Sequence, residues 1–190
     1  MTGVQTCALP ISYHGADETG VTSLFPTKFR DFPEPDPTSA GIDVADRVLV
    51  APYNDLAATR AIIEAHGPEI AAVIVEPLQR CTPPLEGFLE GLRAVTAEHG
   101  VLLIFDEVVT GFRLAYGGAQ EYYGVIPDLC CMGKIMGGGY PLAVVMGRRD
   151  ILSVYDSAAA DTDSFVSQIG TRVRIAVGCA AGLATWVELG

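Results

Sequence analysis

Two side chains carry the chemistry open to this sequence. Lys134 lies in the stretch CCMGKIMGGGYP, residues 130–141, inside an apolar run and just ahead of three glycines; the chain has one other lysine, Lys28. An ammonium in apolar surroundings is costly, so burial pushes its pKa down and leaves a neutral amine able to attack a carbonyl. The second is Asp106, which follows the apolar run VLLIF at 101–105 and precedes Glu107.

An apolar strand ending in Asp-Glu also reads as the magnesium-holding strand of a nucleotide hydrolase, which needs a GxxxxGK[ST] loop upstream. The Gly133-Lys134 pair instead comes after the acid and runs into Ile135. A blander fate for Asp106 is to bond local backbone at the strand end. Taken with Lys134 it reads differently: an amine for an aldehyde and a carboxylate for a ring nitrogen are what a pyridoxal phosphate enzyme requires.

Alternating elements must position this pair. Residues 48–51, 70–75, 101–105, 129–132 and 142–146 predict strands; 54–66, 86–99 and 175–189 predict helices, the first capped by Asn54 and the second closed by Gly100. Strands that are apolar throughout and alternate with helices imply a mostly parallel sheet covered on both faces, an α/β fold with ligands beyond the carboxyl ends of its strands. That rim carries Glu76, Asp106 and the Lys134 turn. Prolines 26, 33, 35 and 37 make 25–37 a surface connection. His66 and His99 fall in last helical turns, where a cation suits the dipole, and Cys130 and Cys131 read as small packing residues.

With 190 residues, 49% hydrophobic and 18% charged, the chain can bury a sizeable core. A net charge of −11 disfavours nucleic acid and anionic membrane as partners. No apolar run reaches the roughly 18–20 residues that cross a bilayer. Five cysteines at 7, 81, 130, 131 and 179 form neither an even disulfide framework nor a metal-ligand cluster, which suits a reducing, cytoplasmic setting. No metal site is expected. Residues 1–12, MTGVQTCALPIS, read as a non-native, adapter-like leader.

Three stretches, IAAVIVEP (70–77), LLIFDEVVTGFR (102–113) and PDLCCMGKIMGGGYPLAVVMGRRDI (127–151), together resemble the class III pyridoxal-phosphate-dependent aminotransferases, including the glutamate-semialdehyde aminomutase branch; YHG at 13–15 and PYNDL at 52–56 agree. The resemblance implies the large domain of a fold-type I transferase over 13–190, lacking the family's amino-terminal segment and carboxyl-terminal small domain. It implies that Lys134 carries the cofactor aldehyde and moves the substrate proton, and that Asp106 pairs with the ring nitrogen. Val108 would cover one ring face and Tyr13 the other, with His14 behind, Glu76 near the pocket, and Thr171 reaching the phosphate of a partner subunit in a homodimer. The implied activity is ping-pong exchange of an amino group between an amino donor and a keto acceptor; the alternatives are an intramolecular aminomutase or a non-catalytic remnant. The glycines at 137–139 suit a tight turn better than a phosphate cradle. Residues 78–84, LQRCTPP, Val109, and Arg172 with Arg174 depart from the family pattern, the last pair as a shift of reading frame would produce.

Overall fold

The computed structural model describes residues 5–8, 14, 48–156, 158, 165–166 and 175–190. Its strands are β1 (Gln5–Ala8), β2 (Val48–Val50), β3 (Ile70–Val75), β4 (Leu102–Asp106), β5 (Leu129–Met132) and β6 (Val144–Gly147). They form one sheet in the order β2-β1-β3-β4-β5-β6, parallel except for the β5–β6 pair. This is the expected α/β architecture. β1 belongs to the segment the sequence sets aside as leader-like, and it pairs Cys7 with Leu49 on one side and Val73 on the other. Ladder bonding uses main-chain groups, so a short extended segment can fill that gap with little side-chain signal.

Five α-helices lie among the described residues: α1 (Leu56–His66), α2 (Phe88–Glu98), α3 (Gly118–Tyr123), α4 (Arg149–Leu152) and α5 (Ala176–Leu189). No helix among the described residues is long and apolar enough to cross a membrane. The cap of α1 is Asp55, whose carboxylate accepts from the Ala58 amide at 2.8 Å, and not Asn54. Asn54 sits at φ 65°, a left-handed conformation that Asn tolerates well. There its amide clamps the distant segment before α2, donating to the Pro83 carbonyl at 3.0 Å and accepting from the Leu85 amide at 2.8 Å.

The main core joins Ile63 of α1 and Leu89, Leu92 and Val95 of α2 to Val73, Val75, Leu103 and Phe105 of β3 and β4. Alternation along β3 and β4 buries these positions, while Ile74 packs against Val48 and Val50 of β2. A second cluster gathers Cys130, Met132 and Met136 with Leu142 and Trp186, tying α5 to the turn that holds Lys134.

Asp128, at the entry to β5, fastens three elements together. Its carboxylate accepts from the Leu103 amide at 2.8 Å, from Arg93 of α2 at 2.7 Å and from Arg148 at 2.9 Å. Burial alone would raise its pKa; the Leu103 amide and the two guanidiniums override that and hold it below the usual carboxylate value of 3.8. A folded-state pKa below the unfolded one gives stability that is present above the unfolded value and lost as pH falls through the folded one. The fold is therefore expected to weaken on acidification below about pH 4. Unfolding midpoints measured against pH should show an acid limb that is distinctly flatter in Asp128→Asn; identical limbs would contradict this role.

Candidate active site

A cleft of about 400 Å³ opens at the carboxyl ends of the parallel strands, lined by His14, Ile74, Glu76, Arg80, Asp106, Val108, Val109, Cys131 and Lys134. The structure thus brings together Lys134, Asp106, Val108, His14 and Glu76 of the residues expected from sequence. Tyr13 and Thr171 lie outside the described residues.

Asp106 is the last residue of β4, and its side chain is only 10% exposed. One oxygen, Oδ1, accepts from the Val108 amide at 3.1 Å; the other, Oδ2, lies 2.8 Å from Nδ1 of His14. A carboxylate only accepts, so the imidazole proton on this edge is assigned to Nδ1. The imidazole itself is 4% exposed, and its Nε2 has no hydrogen-bond partner among the described residues. His14 therefore fixes the direction in which Asp106 presents its charge.

Glu107 points the other way, as successive residues leaving a strand do. It is fully buried and holds the following loop. Its carboxylate accepts from Thr110 Oγ1 at 3.0 Å, from the Gln120 amide at 3.1 Å and from the Ala119 amide, capping the start of α3. A Cβ at Gly118, whose φ is +81°, would collide with this carboxylate. The Asp-Glu pair thus divides its labour: one acid faces the cleft and its neighbour anchors the loop beneath.

Lys134 opens a short 3-10 turn, Lys134–Gly137, between β5 and β6, and takes φ 51°. A left-handed backbone costs an L-residue about 1–2 kcal/mol, and such positions concentrate at functional sites. The sequence expects burial of this lysine; the structure corrects that, leaving Lys134 exposed on the cleft wall because the turn carries it off the end of β5 while Met136 takes the buried place. The glycines make the expected tight turn. Gly138, at φ 57°, passes so close to α5 that a Cβ would strike Thr185 Oγ1.

Cys130 is buried, and burial, then the nearby Glu107, push its thiol up to about 12. Burial and the facing Asp106 also raise Cys131, which is half-buried on the cleft wall. Both stay protonated and weakly nucleophilic, in keeping with a packing role.

The sequence reading missed Arg80, Cys131 and Ile74 as cleft residues and Glu107 as an anchor. Glu107 had a signal, since period-two alternation separates adjacent acids at a strand end. Arg80 had only its place after the strand-end Glu-Pro.

The chain is similar to known proteins over most of its length. The chain is 51% identical over 154 residues to the glutamate-1-semialdehyde 2,1-aminomutase of Pelotomaculum thermopropionicum, covering 78% of this chain and 34% of that protein. The corresponding protein of Desulforamulus reducens is 48% identical over 158 residues, covering 80% and 35%. Among solved structures, an omega-transaminase from Sphaerobacter thermophilus superimposes with a TM-score of 0.89 at 35% identity, covering 98% of this chain and 44% of that one. The chain spans about a third of the length of those curated relatives. The family's cofactor is pyridoxal phosphate. Residues 10–168 match the model of aminotransferase class-III, and the chain belongs to that family.

Proposed function

We propose that the protein of which this chain forms part transfers an amino group between an amino compound and a carbonyl compound using pyridoxal phosphate. The observation that carries the reading is that one cleft holds both an amine, Lys134, and a pre-oriented carboxylate, Asp106, between apolar walls. The residues fit the cofactor. The cleft volume falls within the 300–1,000 Å³ usual for small-molecule sites.

When bound, pyridoxal phosphate supplies an aldehyde that condenses with amines and a protonated ring that withdraws electrons from the attached carbon. Lys134 would hold that aldehyde through its ε-amine and, once released, would move a proton between the substrate carbon and the cofactor carbon that had carried the aldehyde. Asp106 would accept the ring N–H, kept in place by His14 and the Val108 amide. Val108 and Ile74 would cover ring surface and exclude water, with Glu76 at the rim. Tyr13 is proposed for the opposite ring face and Thr171 for the phosphate of a partner subunit. The proposal extends to a homodimer in a reducing, cytoplasmic setting; the exposed apolar residues Val177, Leu183, Val187 and Leu189 of α5 support the dimer.

A second reading, intramolecular transfer, is favoured by the identity to the two aminomutases. The two are separable by one comparison. Under transfer, an amino donor alone drives the cofactor absorbance to that of its amine form, and product then needs an added keto acceptor. A mutase makes product with no acceptor present. Absence of both responses from the cofactor-loaded protein would overturn the proposed function.

A further inference from the structure

The segment after β3 carries a cation to which the proposed function assigns no role. Arg80 lines the same cleft as Lys134 and Asp106 and is exposed. Arg93 and Arg148 are committed to Asp128, and Arg60 to Glu98, whereas no carboxylate among the described residues pairs with the Arg80 guanidinium. Its main chain is held firmly. Gln79 and Thr82 exchange both main-chain hydrogen bonds, at 3.1 and 2.8 Å, leaving Arg80 and Cys81 as the tip of a two-residue turn. Arg80 takes φ 55° there, and its amide donates to Glu76 Oε2 at 3.4 Å.

The charges of the cleft decide what this turn can recognise. Its lining carries two carboxylates, Glu76 and Asp106, and two cations, Lys134 and Arg80. Under the proposed function Lys134 is occupied by the aldehyde and Asp106 by the ring nitrogen, so Arg80 is the cation of the lining that can meet the substrate. In a chain of net charge −11 an anionic substrate is repelled at long range. A planar guanidinium supplies the local attraction, and its fork matches a carboxylate through two parallel hydrogen bonds.

We propose that Arg80 is the residue that reads a carboxylate on the substrate, so that the cleft selects amino acids over amines of the same length that lack the acid. This rests on the proposed function for the role of the cleft, but its test does not require turnover. Glutarate and its neutral counterpart glutaramide would be titrated calorimetrically into the cofactor-loaded protein and into its Arg80→Gln, Arg80→Lys and Arg80→Gly variants. The expected result is a 10- to 100-fold weaker glutarate affinity in Arg80→Gln, the scale of a lost charge-assisted bond pair, with glutaramide unchanged. Arg80→Lys should fall between, since it keeps the charge and loses the fork. Arg80→Gly should lose glutarate as fully as Arg80→Gln; because glycine relaxes the φ of 55° while Gln retains it, a shared loss cannot come from backbone strain.

The proposal is overturned if wild type does not bind glutarate, if Arg80→Gln stays within about twofold of wild type, or if glutaramide weakens equally. Failure to load pyridoxal phosphate would count against the proposed function alone. The same titration on the unloaded chain would then still decide the role of Arg80.

Discussion

Lys134→Ala is expected to abolish donor-driven conversion of the cofactor, with a loss of about four orders of magnitude or more in single-turnover rate. The size follows from two roles vested in one amine. It is the nucleophile that captures the aldehyde, and it is the group that moves the proton once the substrate has replaced it. Lys134→Arg should fail as completely, because a guanidinium keeps the charge but is neither nucleophile nor base at neutral pH. Lys134→Gly separates chemistry from folding, since it removes the amine while easing the left-handed backbone at φ 51°. Activity should vanish in that variant with little change in its thermal midpoint. A loss under tenfold in any of the three would show that another group does the work.

Asp106→Asn should slow the same half-reaction by about 10²- to 10³-fold. A carboxylate beside a basic nitrogen raises the nitrogen's pKa by about 1–3 units, so its neutral amide lets the ring lose its proton at neutral pH. The variant keeps the shape of the side chain and its acceptor for the Val108 amide. Two readouts distinguish an electronic role from a merely structural one: the rate deficit should shrink as pH falls, and a cofactor methylated at the ring nitrogen, with its fixed positive charge, should restore much of the rate. A deficit below about threefold, or one that neither treatment relieves, would contradict the assignment. His14→Ala should give a smaller loss in the same direction, because Asp106 keeps its charge and loses only the imidazole that aims it.

The central strands β3, β4 and β5 were legible because they lie inside the sheet and are written as unbroken apolar runs, whereas β1, QTCA, carries no such run. Residues 70–75 and 129–132 are strands with the bounds the sequence predicts, and 101–105 is displaced by one residue. β6 begins two residues later than predicted, at Val144, because the glycine turn and Pro141 delay its pairing with β5. The short helix α3 carried no usable pattern; its start is set by the buried Glu107 carboxylate twelve residues before Ala119, a tertiary contact that local sequence does not express. Asn54 and Asp55 show the same limit. Both residues favour caps, and which one caps was decided by the remote Pro83 and Leu85 that claim Asn54.

In the site, the identities of Lys134 and Asp106 were readable from residue type and from their places at strand ends, since a parallel sheet presents those ends on one rim. Their surroundings were less so. Apolar neighbours in sequence suggested a buried lysine, yet those neighbours turn inward while Lys134 stands in the open. The pairing of His14 with Asp106 joins residues 92 positions apart and has no local signature beyond the resemblance of the segment that bears it. Arg80 escaped notice for a similar reason: only the turn closed by Gln79 and Thr82 brings it to the cleft.

The most direct measurement is to incubate the purified chain with pyridoxal phosphate, reduce it with borohydride so that the cofactor is fixed to whichever amine holds it, and map the modified peptide by mass. With Lys28 as the one other lysine side chain, the comparison is nearly binary. Label on Lys134 in clear excess over Lys28 is the expected result. Equal labelling of the two, or none, would contradict a cofactor cleft built on Lys134 and Asp106.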